Sequence, residues 1–249
     1  MAEPPDVWAA ARSLTPARIG LRRAGASLAT APSLAFRLAH ARARDAVHAE
    51  LDVDRLTGDL SAIPLQRAPV VVDSAARDRQ TYLLRPDLGR RLSPDTEAHL
   101  LTCDCDLAVV VADGLSARAA QTHAAPLLAV LIPMLQAESW AIAPLAIVRN
   151  GRVAIGDAIA ARLGAAGVLV LIGERPGLSA PDSLGAYLTW GAGPQTTDAN
   201  RNCLSNIRPE GMPSAEAARR IALLLGRMRQ TGYSGVALKD EAEVPPRLG

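Results

Sequence analysis

The hydrophobic and polar positions follow two textures along the chain. Residues 1–68 carry helical spacing. Over 32–51, Leu34, Leu38, Ala41 and Val47 fall on one face, and Arg42, Arg44, Asp45 and Glu50 fall on the other. Gly25 and Pro32 punctuate the loop before that segment. Asp52 or Asp54 is placed to cap a shorter helix through Leu56 and Leu60. From residue 69 short β-branched runs alternate with helical stretches. Residues 70–73, 82–85, 107–112, 145–148 and 168–172 read as strands, and 116–136, 157–163 and 214–229 as helices. For the last helix Ser214 is the candidate cap, Glu216 complements the dipole and Gly232 lies just past the end. Continuous apolar strands alternating with helices predict a mostly parallel sheet covered on both faces. The expected fold class is α/β, with a small helical domain over 1–68 and a sheet domain over 69–249.

Composition narrows the function. The 249 residues are 49% hydrophobic and 21% charged, which is globular and long enough for a sizeable core. The net charge of +2 comes from charges mixed along the chain, so nucleic acid is not an expected partner. Aromatics are only 3%, which disfavours a base-stacking platform. All but one of the 27 lysines and arginines are arginine, Lys239 being the exception. Three cysteines (Cys103, Cys105, Cys203) are too few and too odd in number for a disulfide framework, which points to a reducing cytosol. The first fourteen residues lack the cationic start and apolar run of a signal peptide. Residues 119–137 lack Asp, Glu, Lys and Arg. They carry Gln121, Thr122, His123 and Gln136 and are interrupted by Pro126 and Pro133, so they read as a buried helix and not a membrane span.

Familiar catalytic patterns fail on inspection. The segment VVADGLSA has Arg118 where a nucleophile elbow needs glycine, so Gly114 reads as the turn and Ser116 as a helix cap. Asp113, at the strand end, is the better candidate for a polar contact. GAGPQT (191–196) lacks the third glycine of a dinucleotide fingerprint, and there is no Walker A pattern. Cys103 and Cys105, with His99 as the nearest histidine, lack zinc spacing, so no metal site is expected. No Ser–His–Asp or Cys–His set can be assembled, and no catalytic residue is assigned. Two loops stand out. Arg85, Arg90 and Arg91 surround a Pro/Gly turn that suits an interface or an anion, unless it is a solvated loop. Glu174 and Arg175 follow the apolar strand 168–172, where a carboxylate can accept ligand hydrogens and Gly173 and Gly177 allow close backbone approach.

Five segments read in order carry a resemblance: TPARIGLRRAG (15–25), YLLRPDLGRRL (82–92), VVVADGLSA (109–117), LIGERPGL (171–178) and NCLSNIRPEG (202–211). Together they closely resemble the small (light) subunits of the ethanolamine ammonia-lyase family, over nearly the whole chain. The resemblance implies an adenosylcobalamin-dependent lyase that converts ethanolamine to acetaldehyde and ammonia. It implies a TIM-barrel large subunit that carries the catalytic residues, and a small subunit with a helical N-terminal part and a Rossmann-like domain against the cobalamin. Small-subunit contacts to the cofactor then fall on Val153 in GRVAI, Glu174 in GERPG and Cys203 in NCLSN. The chain would be inactive alone, in a bacterial cytoplasm, free or within a protein-shelled microcompartment. Two other readings stand beside this one: a stand-alone α/β small-molecule-binding protein, and a subunit that never touches cofactor.

Overall fold

The computed structural model describes residues 6–238. The outer ends of the two expected domains, including Lys239, lie outside the described residues. The chain starts with a short helix α1 (Ala9–Ser13) and a two-stranded antiparallel ribbon of β1 (Arg23–Ala24) and β2 (Ser27–Leu28). Two helices follow, α2 (Thr30–His48) and α3 (Val53–Ser61). Asp52 caps α3 by accepting from the Arg55 N–H at 3.0 Å, one of the two caps expected. Leu56 and Leu60 are fully buried and join the same core cluster as the sheet.

The remaining elements alternate. They are β3 (Val70–Asp73), α4 (Arg79–Leu84), α5 (Pro94–Glu97), β4 (Leu107–Ala112), α6 (Ala117–Ala137), β5 (Ala146–Arg149), α7 (Ile155–Leu163), β6 (Gly167–Gly173), β7 (Leu184–Trp190), β8 (Arg201–Ile207) and α8 (Ser214–Thr231). The six-stranded sheet has the order β3-β5-β4-β6-β7-β8. The first four strands are parallel; β7 and β8 are added antiparallel as a meander. The α/β class with a mostly parallel sheet is therefore as expected. Central strands β4 and β6 are buried at every position, and their alternate residues feed two separate cores. Val109, Val111, Leu169 and Leu171 face α6 and α8, while Val110, Val168, Val170 and Ile172 face Ile155 and Ile159 of α7.

Three local expectations need correction. Residues 82–85 do not form a strand. Asp78 accepts from the Thr81 N–H at 2.7 Å and its hydroxyl at 3.0 Å, so this side chain nucleates α4, and Tyr82 packs inward as a helical residue. Ser214 does not cap α8. Pro213 takes the cap position, and its carbonyl accepts from Glu216 and Ala217. Gly232 does end that helix, in the left-handed conformation. The cysteines form no framework, but they are not all free either: Cys103 and Cys105 are joined as a disulfide across one residue, and Cys203 is a free thiol. Among the described residues no helix is long and apolar enough to cross a membrane, and α6, with Pro126 and Pro133 inside it, is a core helix.

The β8 edge is closed by side chains. Arg201 binds Asp157 of α7 through two bonds of 2.7 and 2.6 Å, with side chains 4% and 10% exposed. Asn202 donates to the Gly235 and Leu238 carbonyls, so the C-terminal turn covers the strand edge.

Removing one partner of a buried pair strands the other charge. Asp157→Ala should cost about 3–5 kcal/mol by chemical denaturation, because Arg201 stays buried with only the exposed Asp198, at 3.3 Å, left as a carboxylate partner. A loss within about 0.5 kcal/mol would show the pair to be a surface ornament. A second expectation concerns His123, buried on α6 with Nε2 unpartnered. Burial lowers its pKa, so the unfolded chain binds the proton first. Its contribution should be complete above about pH 6.5 and should fade as pH drops through the folded pKa. His123→Leu should flatten the stability profile just below about pH 6.5; an unchanged slope there refutes the assignment.

Candidate functional site

Parallel sheets bind ligands beyond the carboxyl ends of their strands, where neighbouring connections diverge. Here β4 leaves toward β5 and β6 leaves toward β7, so the crevice opens between the loops that follow β4 and β6. These loops touch backbone to backbone. Gly114 has φ +55°, and a Cβ on it would lie 2.2 Å from the Gly173 carbonyl oxygen. A Cβ on Gly173 would lie 2.0 Å from the Ser116 carbonyl oxygen and 2.5 Å from that of Asp113. Only glycine allows this approach. The Leu115 N–H donates to the Gly173 carbonyl at 2.9 Å, which locks it. Ser116 caps α6 as expected, and its hydroxyl also donates to the Pro181 carbonyl at 3.0 Å.

Asp113 makes the polar contacts expected of it. Its carboxylate is buried and accepts from the Asn150 and Gly151 N–H groups at 2.9 and 3.0 Å. Arg79 approaches it at 3.5 Å and donates to the Gly114 carbonyl at 2.7 Å and the Val47 carbonyl of α2 at 2.8 Å. Burial pushes the Asp113 pKa up, while the two N–H groups and Arg79 oppose that. The Tyr82 ring lies between two guanidinium groups, 4.8 Å from Arg79 and 4.3 Å from Arg152. Burial raises its phenol pKa to about 12, so it remains a neutral donor, to the Gly151 carbonyl at 3.2 Å.

A cleft of about 430 Å³ opens on this framework. Val153, Glu174, Arg152, Arg175 and Tyr187 line it above Gly114 and Gly173. Two of the sequence-predicted residues, Val153 and Glu174, thus share one cleft. Cys203 is not on its wall. It faces Tyr187 in the β7–β8 register, hydrogen-bonds to that phenol, and is exposed on the edge strand. Burial pushes the Cys203 thiol pKa up; the Tyr187 bond lowers it and the charge of Glu174 raises it further. It is a neutral thiol at physiological pH. Glu174 Oε2 accepts from the Ser183 hydroxyl and from the Asn206 N–H at 3.1 Å. Asn206 is one of the few non-glycine residues with positive φ (58°), and that twist aims its N–H at the carboxylate.

Tyr187, Ser183, Asn206 and Arg152 escaped the sequence reading. The signal for Tyr187 was present in LGAYLTW (184–190), a β-branched and aromatic run. The arginine turn lies elsewhere. Arg85 pairs with Asp87 at 2.9 and 2.8 Å, Arg91 approaches the same carboxylate at 3.7 Å, and Arg90 closes a 3₁₀ turn. The Arg85 bond lowers the Asp87 pKa, and this cluster stands exposed. Among the described residues no group of three or more His, Cys, Asp or Glu is placed to hold a metal ion.

Residues 5–239 match the family described as ethanolamine ammonia-lyase light chain (EutC). The chain is 53% identical to the ethanolamine ammonia-lyase small subunit of Azotobacter vinelandii, over 95% of this chain and 89% of that protein. It is 51% identical to the subunit of the same name from Ralstonia nicotianae, over 96% of this chain and 90% of that protein. The Bradyrhizobium diazoefficiens subunit is also 51% identical, over 96% and 93%.

The glycine contact sets the shape of the crevice. Gly173→Ala should separate the two loops and cost about 1–3 kcal/mol, as overpacking does. Gly193→Ala, with nothing within 4 Å of a Cβ, is the control and should stay near neutral. Equal melting temperatures for the two variants would show that the loops do not depend on close approach.

Proposed function

This chain belongs to the ethanolamine ammonia-lyase light-chain family, and from that membership we propose that it helps bind adenosylcobalamin at the interface with a large subunit. In this reading the large subunit is a TIM barrel that carries the catalytic residues, and the small subunit is inactive alone. The complex converts ethanolamine to acetaldehyde and ammonia in the bacterial cytoplasm, free or within a microcompartment. When bound, adenosylcobalamin supplies the radical chemistry. The residues of this chain bind, orient and exclude water.

The observation that carries the reading is the convergence of Val153 and Glu174 on the cleft between the β4 and β6 loops, with Cys203 behind Tyr187. The chemistry of the donor set fits the cofactor. A corrin rim carries amide groups, and a large disc needs a few scattered polar contacts on a close-packed surface. Glu174 commits Oε2 to Ser183 and Asn206, which fixes the carboxylate's direction and leaves Oε1 to accept from a ligand amide. Val153 offers an apolar wall. Cys203 is a neutral thiol that offers a small contact surface and no nucleophile.

The N-terminal part, proposed as a separate domain over 1–68, supports a partner. α2 is 19 residues long with Ala46 as its one buried residue. Leu14, Leu34, Phe36 and Leu38 are exposed there, at 87%, 57%, 41% and 52%. That much apolar surface on one segment marks a protein interface. The proposed occupant is the large subunit.

Glu174→Gln keeps the size and removes the charge. A charged hydrogen bond contributes about 1.5–3 kcal/mol. The variant, co-purified with the large subunit, should bind adenosylcobalamin about ten- to hundredfold more weakly at unchanged melting temperature. Turnover at saturating cofactor should fall far less. A lower melting temperature with unchanged affinity would make Glu174 a structural residue. Failure of the two chains to co-purify would remove the subunit reading.

A further inference from the structure

The cleft does not end at Glu174. A second opening, of about 460 Å³, shares Leu115, Arg152 and Arg175 with it and continues to His40, Arg44 and Val47 of α2. The two form one groove with different chemistry at its ends. Glu174 is the carboxylate of the first end. Arg152 and Arg175 stand at the junction and Arg44 beyond it on α2, and among the described residues none of the three is paired with a carboxylate.

The placement of Arg152 is the second observation. Its guanidinium stacks on Tyr82, its Nη2 reaches only the Tyr82 carbonyl at 3.5 Å, and its Nε is buried without a partner. Arg79 stacks on the same ring and takes the one buried carboxylate there, Asp113. The Arg79–Tyr82–Arg152 stack thus carries two positive charges against one negative, and the uncompensated one is on the groove side. A buried or half-buried guanidinium without an anion is costly, and a ligand anion relieves that cost.

We propose that this end of the groove is an anion subsite, in which Arg44, Arg152 and Arg175 take a phosphate-type group of the same ligand whose amide donors Glu174 receives. The inference rests on the cofactor reading of the cleft. Cobalamin carries one phosphodiester, in its nucleotide loop, and cobinamide lacks that loop, so the pair separates the two ends.

The test uses the assembled two-subunit complex and equilibrium binding of cobalamin and cobinamide. Arg44 and Arg175 are exposed and make no described hydrogen bond or ion pair, so Arg44→Gln with Arg175→Gln leaves the fold intact. Arg152→Lys is the second variant, which keeps the charge and loses the planar stack. The double variant should weaken cobalamin roughly tenfold or more, with cobinamide unchanged, and the salt dependence of cobalamin binding should shrink. Arg152→Lys should give a smaller loss on cobalamin alone. Unchanged cobalamin affinity overturns the subsite, and so does an equal loss on both corrinoids. Dissociation of the subunits by the double variant also overturns it, because the arginines then meet carboxylates of the large subunit. If Glu174→Gln binds both corrinoids like the unmodified complex, the cofactor reading itself fails. If Glu174→Gln weakens both while the arginine variants move neither, that reading survives and the anion subsite falls.

Discussion

The buried pair of Asp113 and Arg79 is the constraint on which the rest depends. Their side chains are 3% and 7% exposed. Taking two charges out of water costs several kcal/mol per ion and is tolerable only when hydrogen-bond partners surround them; here Arg79 Nη2 is left buried without one, and the rest of the pair is supplied. The partners here come from four parts of the chain. Asn150 and Gly151 after β5 supply N–H groups, Gly114 after β4 and Val47 of α2 supply carbonyls, and α4 supplies Arg79 itself. One ion pair therefore fixes the ends of two parallel strands, a capped helix and the N-terminal helix relative to one another. It also forces the chain after Asp113 through the left-handed turn at Gly114, whose contact with Gly173 forms the floor of the cleft. Tyr82 transmits the arrangement outward, because both Arg79 and Arg152 stack on its ring.

Much of this was legible in the residues. Runs of apolar β-branched residues at 107–112 and 168–172 admit only a strand buried on both faces, and both are observed. Asp113, at the end of the first run, was conspicuous because a lone carboxylate after six apolar residues must be satisfied. What was not legible came from competition between local and distant terms. YLLR (82–85) reads as strand by composition, but the two bonds that Asp78 accepts from Thr81 start a helix just before it. β8 hides behind asparagine and serine, which weaken β propensity, and it is a strand because β7, itself added to the β6 edge, offers it a partner. Asn206's positive φ and the stacking of Arg152 on Tyr82 are tertiary facts with no signature in spacing.

The candidate site follows the same division. Glu174 was recognisable as a carboxylate placed just past a buried strand. Its neighbours Ser183 and Asn206 come from the next two strands' ends, so the geometry of its carboxylate is a property of the meander. Tyr187 lay in a run of strand-forming residues, yet its pairing with Cys203 depends on the antiparallel register, which one residue of slip would abolish.

The architecture has a physical rationale as a subunit. The glycine contact between the β4 and β6 loops brings two backbones together without side chains between them, so the crevice is rigid and shallow. A self-contained enzyme would instead need a deep pocket to exclude water and strengthen its electrostatics. The exposed apolar residues of the N-terminal segment obey the same logic. Helix α2 is tied down by the Arg79 bond to the Val47 carbonyl, by packing on α6 and by one fully buried alanine, which is little for a helix of 19 residues. Its outer faces stay exposed in this chain. The ion pair at Asp113 therefore does two things at once: it sets the cleft, and through the Val47 carbonyl it fixes the helix that walls the adjoining opening.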